Sequence, residues 1–244
     1  MDTSLYVGLS RQVALERSFD IVAHNIANAG TVAYRGDSTL FDQSMEKAGL
    51  SDPVSFVIDK ANFLNVRQGN LDETGNPLDL AIMGEGWLSV DAPAGILHSR
   101  DGRMAISRDG VLVTRISGLP ILDINQAPIA IDPEGGPIQI AKNGMISQKL
   151  GEFEQQVGQI GLVQFPEDQS LTRAADGLYA AVAPPQPALE SALIQGSLEQ
   201  SNVQPILEMV RMMDISRAFQ QATEFIENGD ELKREAISRL GRRS

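Results

Sequence analysis

The sequence predicts an α+β protein in which a central antiparallel β domain, barrel-like or sandwich-like, is flanked by N- and C-terminal amphipathic helices of coiled-coil type. Three observations predict this class: apolar residues at coiled-coil spacing near both ends, Asp-Gly turns between short apolar runs in the centre, and a charge that changes along the chain. The formal net charge of the 244 residues is −12, and residues 36–199 carry all of it because both ends are neutral. All but one of the 12 prolines also lie in this centre.

Residues 1–35 are predicted to form the first helix. An apolar seam with alternating spacings of three and four residues is typical of a helix that packs against another helix. Five of the seven seam positions are apolar, and the seam runs through Leu5, Gly8, Gln12, Leu15, Phe19, Val22 and Ile26.

Residues 36–75 are predicted to be an extended or irregular connecting segment. Within it, Phe41–Lys47 is expected to form a helical turn and Val54–Ile58 a strand.

Residues 76–190 are predicted to form the β domain. The tetrapeptide Ser-Arg-Asp-Gly occurs at 99–102 and again at 107–110, and Asp-Gly between apolar runs is a strong hairpin signal. An eight-residue spacing leaves room for one short strand between two tight turns. The expected strands are Leu78–Met83, Trp87–Val90, Met104–Ile106, Val111–Ile116, Ile121–Ile124, Ile129–Ile131, Ile160–Phe165 and Leu178–Val182.

Residues 191–244 are predicted to form a connector and the C-terminal helix. Pro205 suits a first helical turn, and Glu208 suits the positive end of the helix dipole. Gly229, between Asn228 and Asp230, is expected to break or kink the helix. The seam of this helix runs through Met212, Ile215, Phe219, Ala222 and Ile226.

The two seams leave two arrangements open, because the helices can pair with each other or pack against neighbouring copies. Neutral ends favour dense packing, since repulsion between many crowded like charges would oppose it. Asn25 and Asn28, near the end of the first helix, can bond to backbone carbonyls or to neighbouring subunits. The predicted assembly interface is Leu15, Phe19, Val22, Asn25, Ile26, Asn28, Met212, Ile215, Phe219, Ala222 and Ile226.

Composition excludes several functional classes. The chain has no cysteine and only two histidines, which excludes disulfides, thiol catalysis, iron–sulfur clusters and histidine-rich metal sites. Strong acidity argues against nucleic acid or an anionic bilayer as a partner. We also expect no cleaved signal peptide and no direct membrane insertion, because charges interrupt the N-terminal segment and no apolar run reaches 18 residues.

Two residue groups have the types but not the arrangement of a catalytic or nucleotide site. Gly84-x-Gly86 lacks the third glycine and the Lys-Ser/Thr of a phosphate loop, so a plain turn is favoured. His98, Ser99 and Asp101 lie in one predicted hairpin, where successive side chains point to opposite faces and do not form a catalytic line. We therefore predict no enzyme activity, no cofactor and no metal.

Asp72, Glu73 and Asp79 are the residues on which a competing class depends. Paired carboxylates in a cleft would indicate a secreted β-domain enzyme or a carbohydrate-binding module, although solvated carboxylates are common in acidic, turn-rich regions. A cytoplasmic oligomeric adaptor is a third alternative, which closed oligomers would favour.

Motifs in three separate regions resemble those of the bacterial flagellar basal-body rod and hook proteins. They are Asn25-Ile-Ala-Asn28-x-x-Thr31-x-x-Tyr34-Arg35, then Thr74-Gly75-Asn76-Pro77-Leu78-Asp79-Leu80-Ala81-Ile82 with Gly84-x-Gly86-Trp87 and Arg100-Asp101-Gly102, and last Gly196-Ser197-Leu198-Glu199-Gln200-Ser201-Asn202-Val203. The chain departs from the family pattern at three places: Ala33 stands for a glycine, Trp87 for a phenylalanine, and His98-Ser99 for Tyr-Thr.

The resemblance implies a structural subunit of the hollow axial drive shaft, most like the proximal rod members of the family, with the distal rod members as the alternative. It implies terminal helices that line an inner tube, with the β domain outside. The implied partners are other rod subunits, neighbouring copies of the chain, and the flagellar type III export apparatus. The implied location is the periplasm-spanning rod of the basal body, reached without a cleaved signal peptide.

Overall fold

The computed structural model describes residues 2–46, 54–151, 153–165 and 171–241. These residues form two compact units, and each is discontinuous in sequence. Unit 1 comprises Met1–Asn28, Asp37–Phe63 and Val203–Ser244, and unit 2 comprises Ala29–Gly36 and Leu64–Asn202. The predicted division at residues 35, 75 and 190 follows sequence order and stays a prediction.

Unit 1 contains the two helices and a two-stranded sheet. The helices are α1 (Asp2–Ala27) and α2 (Pro205–Gly241), and the paired strands are β1 (Asp37–Glu46) and β2 (Val54–Leu64). Both terminal helices were predicted and are confirmed. In the described part of the chain, neither is long and apolar enough to cross a membrane.

Two predictions for unit 1 are wrong. The helical turn expected at Phe41–Lys47 is not formed, because Phe41 to Glu46 belong to β1; Lys47 lies outside the described residues. Pairing with β2 supplies β1 with backbone hydrogen bonds that local propensity does not predict. The break at Gly229 is absent, since α2 runs unbroken over 37 residues. A helical glycine costs about 1 kcal/mol relative to alanine, and that cost alone does not end a long helix.

Unit 2 consists of short strands. They are β3 (Leu71–Glu73), β4 (Leu80–Met83), β5 (Trp87–Ala92), β6 (Gly95–Ser99), β7 (Met104–Ile106), β8 (Leu112–Thr114), β9 (Ile138–Ile140), β10 (Met145–Leu150), β11 (Phe153–Gln159), β12 (Leu162–Gln164), β13 (Leu171–Arg173), β14 (Tyr179–Ala181), β15 (Gln186–Pro187), β16 (Ala192–Gln195) and β17 (Ser197–Glu199). A single 3₁₀ turn, Ala175–Gly177, separates β13 from β14.

The largest sheet of unit 2 has the order β13-β14-β6-β5-β12-β15, and a three-stranded sheet has the order β11-β10-β9. Three further pairs are β16 with β4, β17 with β3, and β7 with β8, all antiparallel. The α+β class with an antiparallel β region is thus confirmed. The strands β16 and β17 come from the end of unit 2 and pair with its early strands, so the unit is closed by residues distant in sequence.

The two Asp-Gly turns behave differently. Asp109-Gly110 connects β7 to β8 as predicted, with Gly110 at a φ of +75° and its N–H donating to the Ser107 carbonyl at 3.0 Å. The hairpin expected at Asp101-Gly102 is wrong, because β6 pairs with β5 and β14 instead of β7. Gly102 lies against the backbone of Leu80, where a Cβ atom would sit 1.6 Å from the Leu80 carbonyl oxygen.

The core of unit 2 consists of an aliphatic cluster and a smaller aromatic cluster. The aliphatic cluster is built around fully buried side chains on β4, β5, β7, β8 and β10: Leu80, Ile82, Leu88, Met104, Leu112 and Ile146. The aromatic cluster contains Trp87, whose ring meets Tyr179 edge-on with centroids 5.0 Å apart. Both clusters lie within unit 2, so this unit has its own hydrophobic core.

Candidate assembly surfaces

The two helices of unit 1 pair with each other in antiparallel orientation. A Cβ atom on Gly8 would lie 2.9 Å from Cγ1 of Ile226, and the Gln12 side-chain amide donates to Oγ1 of Thr223 at 2.9 Å. Gly8 and Gln12 are the two seam positions of α1 that are not apolar. A small residue permits close approach of the helices, and the amide finds a polar partner on α2, so both residues suit the contact.

The predicted interface residues differ in how far this pairing covers them. Val22, Asn25 and Ala222 are buried, while Phe19 and Phe219 are both 40% exposed. The others are half-buried: Leu15, Ile26, Asn28, Met212, Ile215 and Ile226. The pairing therefore covers only part of the predicted surface.

Two grooves run along the helix pair, and both are lined by Leu15 and Ile215. One has a volume of about 350 Å³ and is lined in addition by Phe19 and Phe219; we call it the phenylalanine groove. The other has a volume of about 460 Å³ and is lined in addition by the carboxylates of Asp37, Glu208 and Asp214, with Arg211, Asn25 and Val22; we call it the acidic groove. Six of the eleven predicted interface residues line one groove or the other.

Uncovered apolar side chains distinguish the helices from an ordinary helical hairpin. In the described part of the helices, the buried apolar residues are Ala14, Val22 and Ala222. The large apolar side chains that are at least 40% exposed are more numerous: Leu9, Val13, Phe19, Ile206, Leu207, Met209, Val210, Met213, Phe219, Phe225 and Leu232. Exposed apolar surface of this extent in a folded chain marks a site of protein–protein contact.

Asn25 holds the end of α1 to the start of β1 within unit 1. Its side-chain amide donates to the Asp37 carbonyl at 2.9 Å, and its side-chain oxygen accepts from the Asp37 N–H at 3.0 Å. Asn28 donates from its side-chain amide to the carbonyl of His24 at 2.9 Å, one turn earlier. In this structure both asparagines therefore bond to backbone atoms of their own chain, which was one of the two roles expected for them.

Asn202, the last residue of unit 2, holds three segments of that unit together. Its side-chain oxygen accepts from the Gly36 N–H at 2.8 Å, and its amide donates to the carbonyls of Asn65 and Arg67 at 2.7 and 2.8 Å. Its own N–H donates to the Tyr34 carbonyl at 3.2 Å. In the sequence, Asn202 belongs to a family motif, but nothing there predicted this role.

A buried ion cluster lies next to these segments in unit 2. The Glu199 carboxylate pairs with Arg35 at 2.9 Å and with Arg100 at 2.8 Å, and all three side chains are at most 2% exposed. Glu199 also accepts from the Gly69 N–H at 2.8 Å, and Arg35 donates to the Arg67 carbonyl. Burial, and then repulsion from Arg100, lower the pKa of Arg35 to about 10, so this guanidinium stays charged at neutral pH.

Arg100 connects the ion cluster to the Gly84-x-Gly86 turn. Its guanidinium donates to the carbonyls of Gly84 and Gly86 at 3.0 and 2.6 Å and lies 5.8 Å from the centre of the Trp87 ring. The turn is therefore an arginine-bound structural element. No local pattern in the sequence predicts the cluster, because its three charged residues lie far apart along the chain.

The substitutions relative to the family pattern have structural consequences. Ala33 has a φ of +56°, a left-handed conformation that favours glycine, which accounts for the residue usual in the family. His98 is buried edge-on against Phe165, with centroids 4.7 Å apart, and burial lowers the pKa of its imidazole to about 4. His98 is therefore neutral at physiological pH.

The carboxylates on which the competing class depended are not arranged as a pair. Asp79 is buried and accepts from the Thr74 hydroxyl and the Asn76 amide, both at 2.9 Å. Asp72 and Glu73 are exposed on β3, where adjacent side chains point to opposite faces. Among the described residues, no group of three His, Cys, Asp or Glu side chains is placed to hold a metal ion.

Paired terminal helices with uncovered apolar faces, on a chain whose β region has its own core, are the features of a structural subunit that assembles with other chains. Two family models assign this subunit to the flagellar axial class. The model for the flagellar hook protein FlgE/F/G D1 domain matches residues 81–148, and the model for the flagellar basal body rod FlgEFG protein C-terminal region matches residues 194–239.

Full-length relatives refine the assignment. The chain is 40% identical to flagellar basal-body rod protein FlgF of Caulobacter vibrioides, over 99% of each chain. It is 38% identical to FlgF of Mesorhizobium japonicum over the whole of both chains, and 28% identical to rod protein FlgG of Bacillus subtilis over 96% of this chain and 98% of that one. The chain belongs to the family of flagellar basal-body rod proteins. Its FlgF relatives support the function of a structural subunit of the proximal rod.

Proposed function

We propose that this subunit joins the rod through its helix pair, with helices of neighbouring subunits packing into the two grooves. The observation that carries the proposal is the excess of exposed over buried large apolar side chains on α1 and α2. Burying an apolar side chain contributes about 1.5–3 kcal/mol, so covering these residues in an assembly supplies a large driving force. In the rod, helices of neighbouring subunits then pack against each other in the manner of a coiled coil.

Folding of the helices is coupled to assembly in this proposal. Most helical stability in water comes from an apolar face that is buried, and the helix pair buries few large side chains on its own. The pair is therefore only partly stabilised before assembly and is fully stabilised by its neighbours. The β region, with two hydrophobic clusters and a buried ion cluster, does not depend on this step.

Partners and location follow from the same role. The proposed partners are other rod subunits and copies of this chain, with delivery by the flagellar type III export apparatus without a cleaved signal peptide. The proposed location is the periplasm-spanning part of the basal body. We propose no catalytic role and no nucleic-acid partner, because Asp79 and Glu199 are engaged in structural contacts and the net charge is −12.

Phe219→Asp tests the assembly surface. Phe219 lines the phenylalanine groove and is 40% exposed, so a charge there is tolerated by the isolated chain but desolvated in the assembly. Val22→Asp is also expected to abolish assembly, but Val22 is buried and its loss also disturbs the helix pair. The matched control is Leu189→Asp, an exposed apolar residue of unit 2.

The measurement is the amount of variant in purified basal bodies, together with swimming, in cells that lack the unsubstituted chain. Phe219→Asp is expected to be absent from basal bodies and to abolish swimming, whereas Leu189→Asp is incorporated. Normal incorporation of Phe219→Asp would contradict the role of the groove. Absence of the unsubstituted chain from basal bodies would refute the proposed function itself.

A further inference from the structure

The acidic groove contains a buried carboxylate oxygen without a partner. Glu208 is 6% exposed and lines the groove; its Oε1 atom accepts from Arg211 at 2.5 Å, while its Oε2 atom has no hydrogen-bond partner. A buried carboxylate oxygen without a hydrogen-bond donor is unfavourable. A neighbouring molecule in the assembly can supply the donor that the groove lacks.

The charge and shape of the groove specify the donor. Three acidic residues and one arginine line it, which leaves an excess of negative charge, and Leu15, Val22 and Ile215 are its apolar lining residues. A long basic side chain fits both properties, because its aliphatic stem can lie on the apolar wall while its charged head reaches the carboxylates.

A basic segment is present in the chain itself. Residues 232–244 contain five basic side chains and one acidic side chain, in a protein whose net charge is −12. Arg239 is 78% exposed and pairs with Glu235 on the same helix face, an exposed contact that contributes little and is easily exchanged.

The basic segment does not reach the acidic groove of its own chain. Arg239 follows Glu208 by 31 residues on one unbroken helix, and a rise of 1.5 Å per residue places them about 46 Å apart. A second copy can bring the two together. Because the two surfaces differ, the contact is heterologous, and a contact of that kind continues as an open, axial array unless rotation closes it.

We propose that the acidic groove binds the basic end of α2, from Leu232 to its last residue Gly241, from a second copy of this chain. This inference rests on the proposed rod function and names the partner of one of its two grooves. An Arg or Lys of the second copy then provides Glu208 with the missing donor, and Asp37 and Asp214 supply further negative charge.

The absence of native cysteine permits a direct test by disulfide crosslinking. The double variant Asp214→Cys, Arg239→Cys places one thiol on the rim of the groove and one on the basic end of the same helix, about 37 Å apart and therefore beyond disulfide range within one copy. Basal bodies that contain it are oxidised and separated under non-reducing conditions, beside the two single-cysteine variants.

The expected result is a ladder of covalent oligomers from the double variant and only monomers from each single variant. Adding Arg234→Glu to the double variant is expected to lower the ladder yield about tenfold, as the loss of one partly buried charge pair does. Adding the matched change Arg108→Glu, at an exposed arginine of unit 2, is expected to leave the yield unchanged.

The opposite results overturn the inference. A double variant that enters basal bodies and supports swimming but stays monomeric on oxidation shows that the groove has another occupant, and the rod function stands. Dimers from a single variant show a symmetric contact, and a double-variant product that stops at the dimer shows a closed one. Absence of the unsubstituted chain from basal bodies refutes the rod function, and the inference with it.

Discussion

The buried carboxylate of Glu199 pairs with two buried arginines of unit 2, and Glu199→Gln tests what this ion cluster contributes to stability. The native carboxylate accepts from Arg35, from Arg100 and from the Gly69 N–H, all at 2.8–2.9 Å. Glutamine keeps the shape and one acceptor oxygen but removes the negative charge. Two guanidinium groups, each at most 2% exposed, then share a buried site with no other carboxylate paired to either in the described part of the chain.

The expected loss in the free energy of unfolding follows from the contacts of the ion cluster. Removing one partner of a buried ion pair costs about 3–5 kcal/mol, because an uncompensated charge remains. Deprotonation of Arg35 limits this cost. With its pKa at about 10, neutralising it at pH 7 costs about 4 kcal/mol at 1.36 kcal/mol per unit, and less once Glu199 no longer raises the pKa. We therefore expect Glu199→Gln to lower the free energy of unfolding by about 3 kcal/mol.

Urea unfolding followed by tryptophan fluorescence measures this loss. Trp87 is the single tryptophan, is 2% exposed, and lies 5.8 Å from the Arg100 guanidinium, so its emission reports on unit 2 near the cluster. Glu85→Gln is the matched control, since Glu85 is exposed in the adjacent turn and should change the free energy by less than about 0.5 kcal/mol. If Glu199→Gln lowers the free energy of unfolding by less than about 1 kcal/mol, the ion cluster does not stabilise unit 2 as its contacts predict.

Two further predictions concern buried polar groups. Burial lowers the pKa of His98 from its ordinary value of 6.5 to about 4 in the folded chain. The unfolded state therefore binds a proton that the folded state does not, and stability is lost as pH falls from about 6.5 to about 4. His98→Tyr should remove about 2 kcal/mol of the stability difference between pH 7 and pH 5, measured by urea unfolding at both values; an unchanged difference would contradict the burial argument. Asn25→Ala removes both hydrogen bonds to the Asp37 backbone and should lower the unfolding free energy by about 1–3 kcal/mol with faster exchange of the Asp37 amide proton, whereas Asn28→Ala should cost less than about 1 kcal/mol. Equal effects of the two alanine substitutions would show that the Asp37 contact is not the important one.

Local patterns were sufficient for part of the fold. The seams of both helices predict their existence, and Asp109-Gly110 predicts the β7–β8 turn, because amphipathic spacing and turn geometry act over a few residues. Gly102 shows the limit of such reasoning. It has the same dipeptide as the true turn, but it is needed where two backbone segments meet closely, and no local pattern contains that information.

The long-range elements escaped prediction for a physical reason. Strand β17 pairs with β3, and Asn202 holds Gly36, Asn65 and Arg67, so each contact joins residues more than 100 positions apart. Polar residues such as asparagine are read from a sequence as caps or solvated loops, because their partners are backbone atoms that only the folded chain brings near. The candidate interface was predictable to a greater extent, since apolar seams are local, although sequence could not show how the exposure of Phe19 differs from that of Val22.

The two units meet opposite requirements of an assembling subunit. In unit 2 the buried carboxylate of Glu199 is paired with Arg35 and Arg100 of the same unit, and a paired buried charge penalises every alternative arrangement that leaves it unpaired. In unit 1 the helix pair leaves large apolar side chains and the Glu208 Oε2 atom unmatched, so its most favourable state includes other molecules. If both units left large apolar faces uncovered, the chain would aggregate without specificity. If neither did, the chain would gain no free energy from assembly.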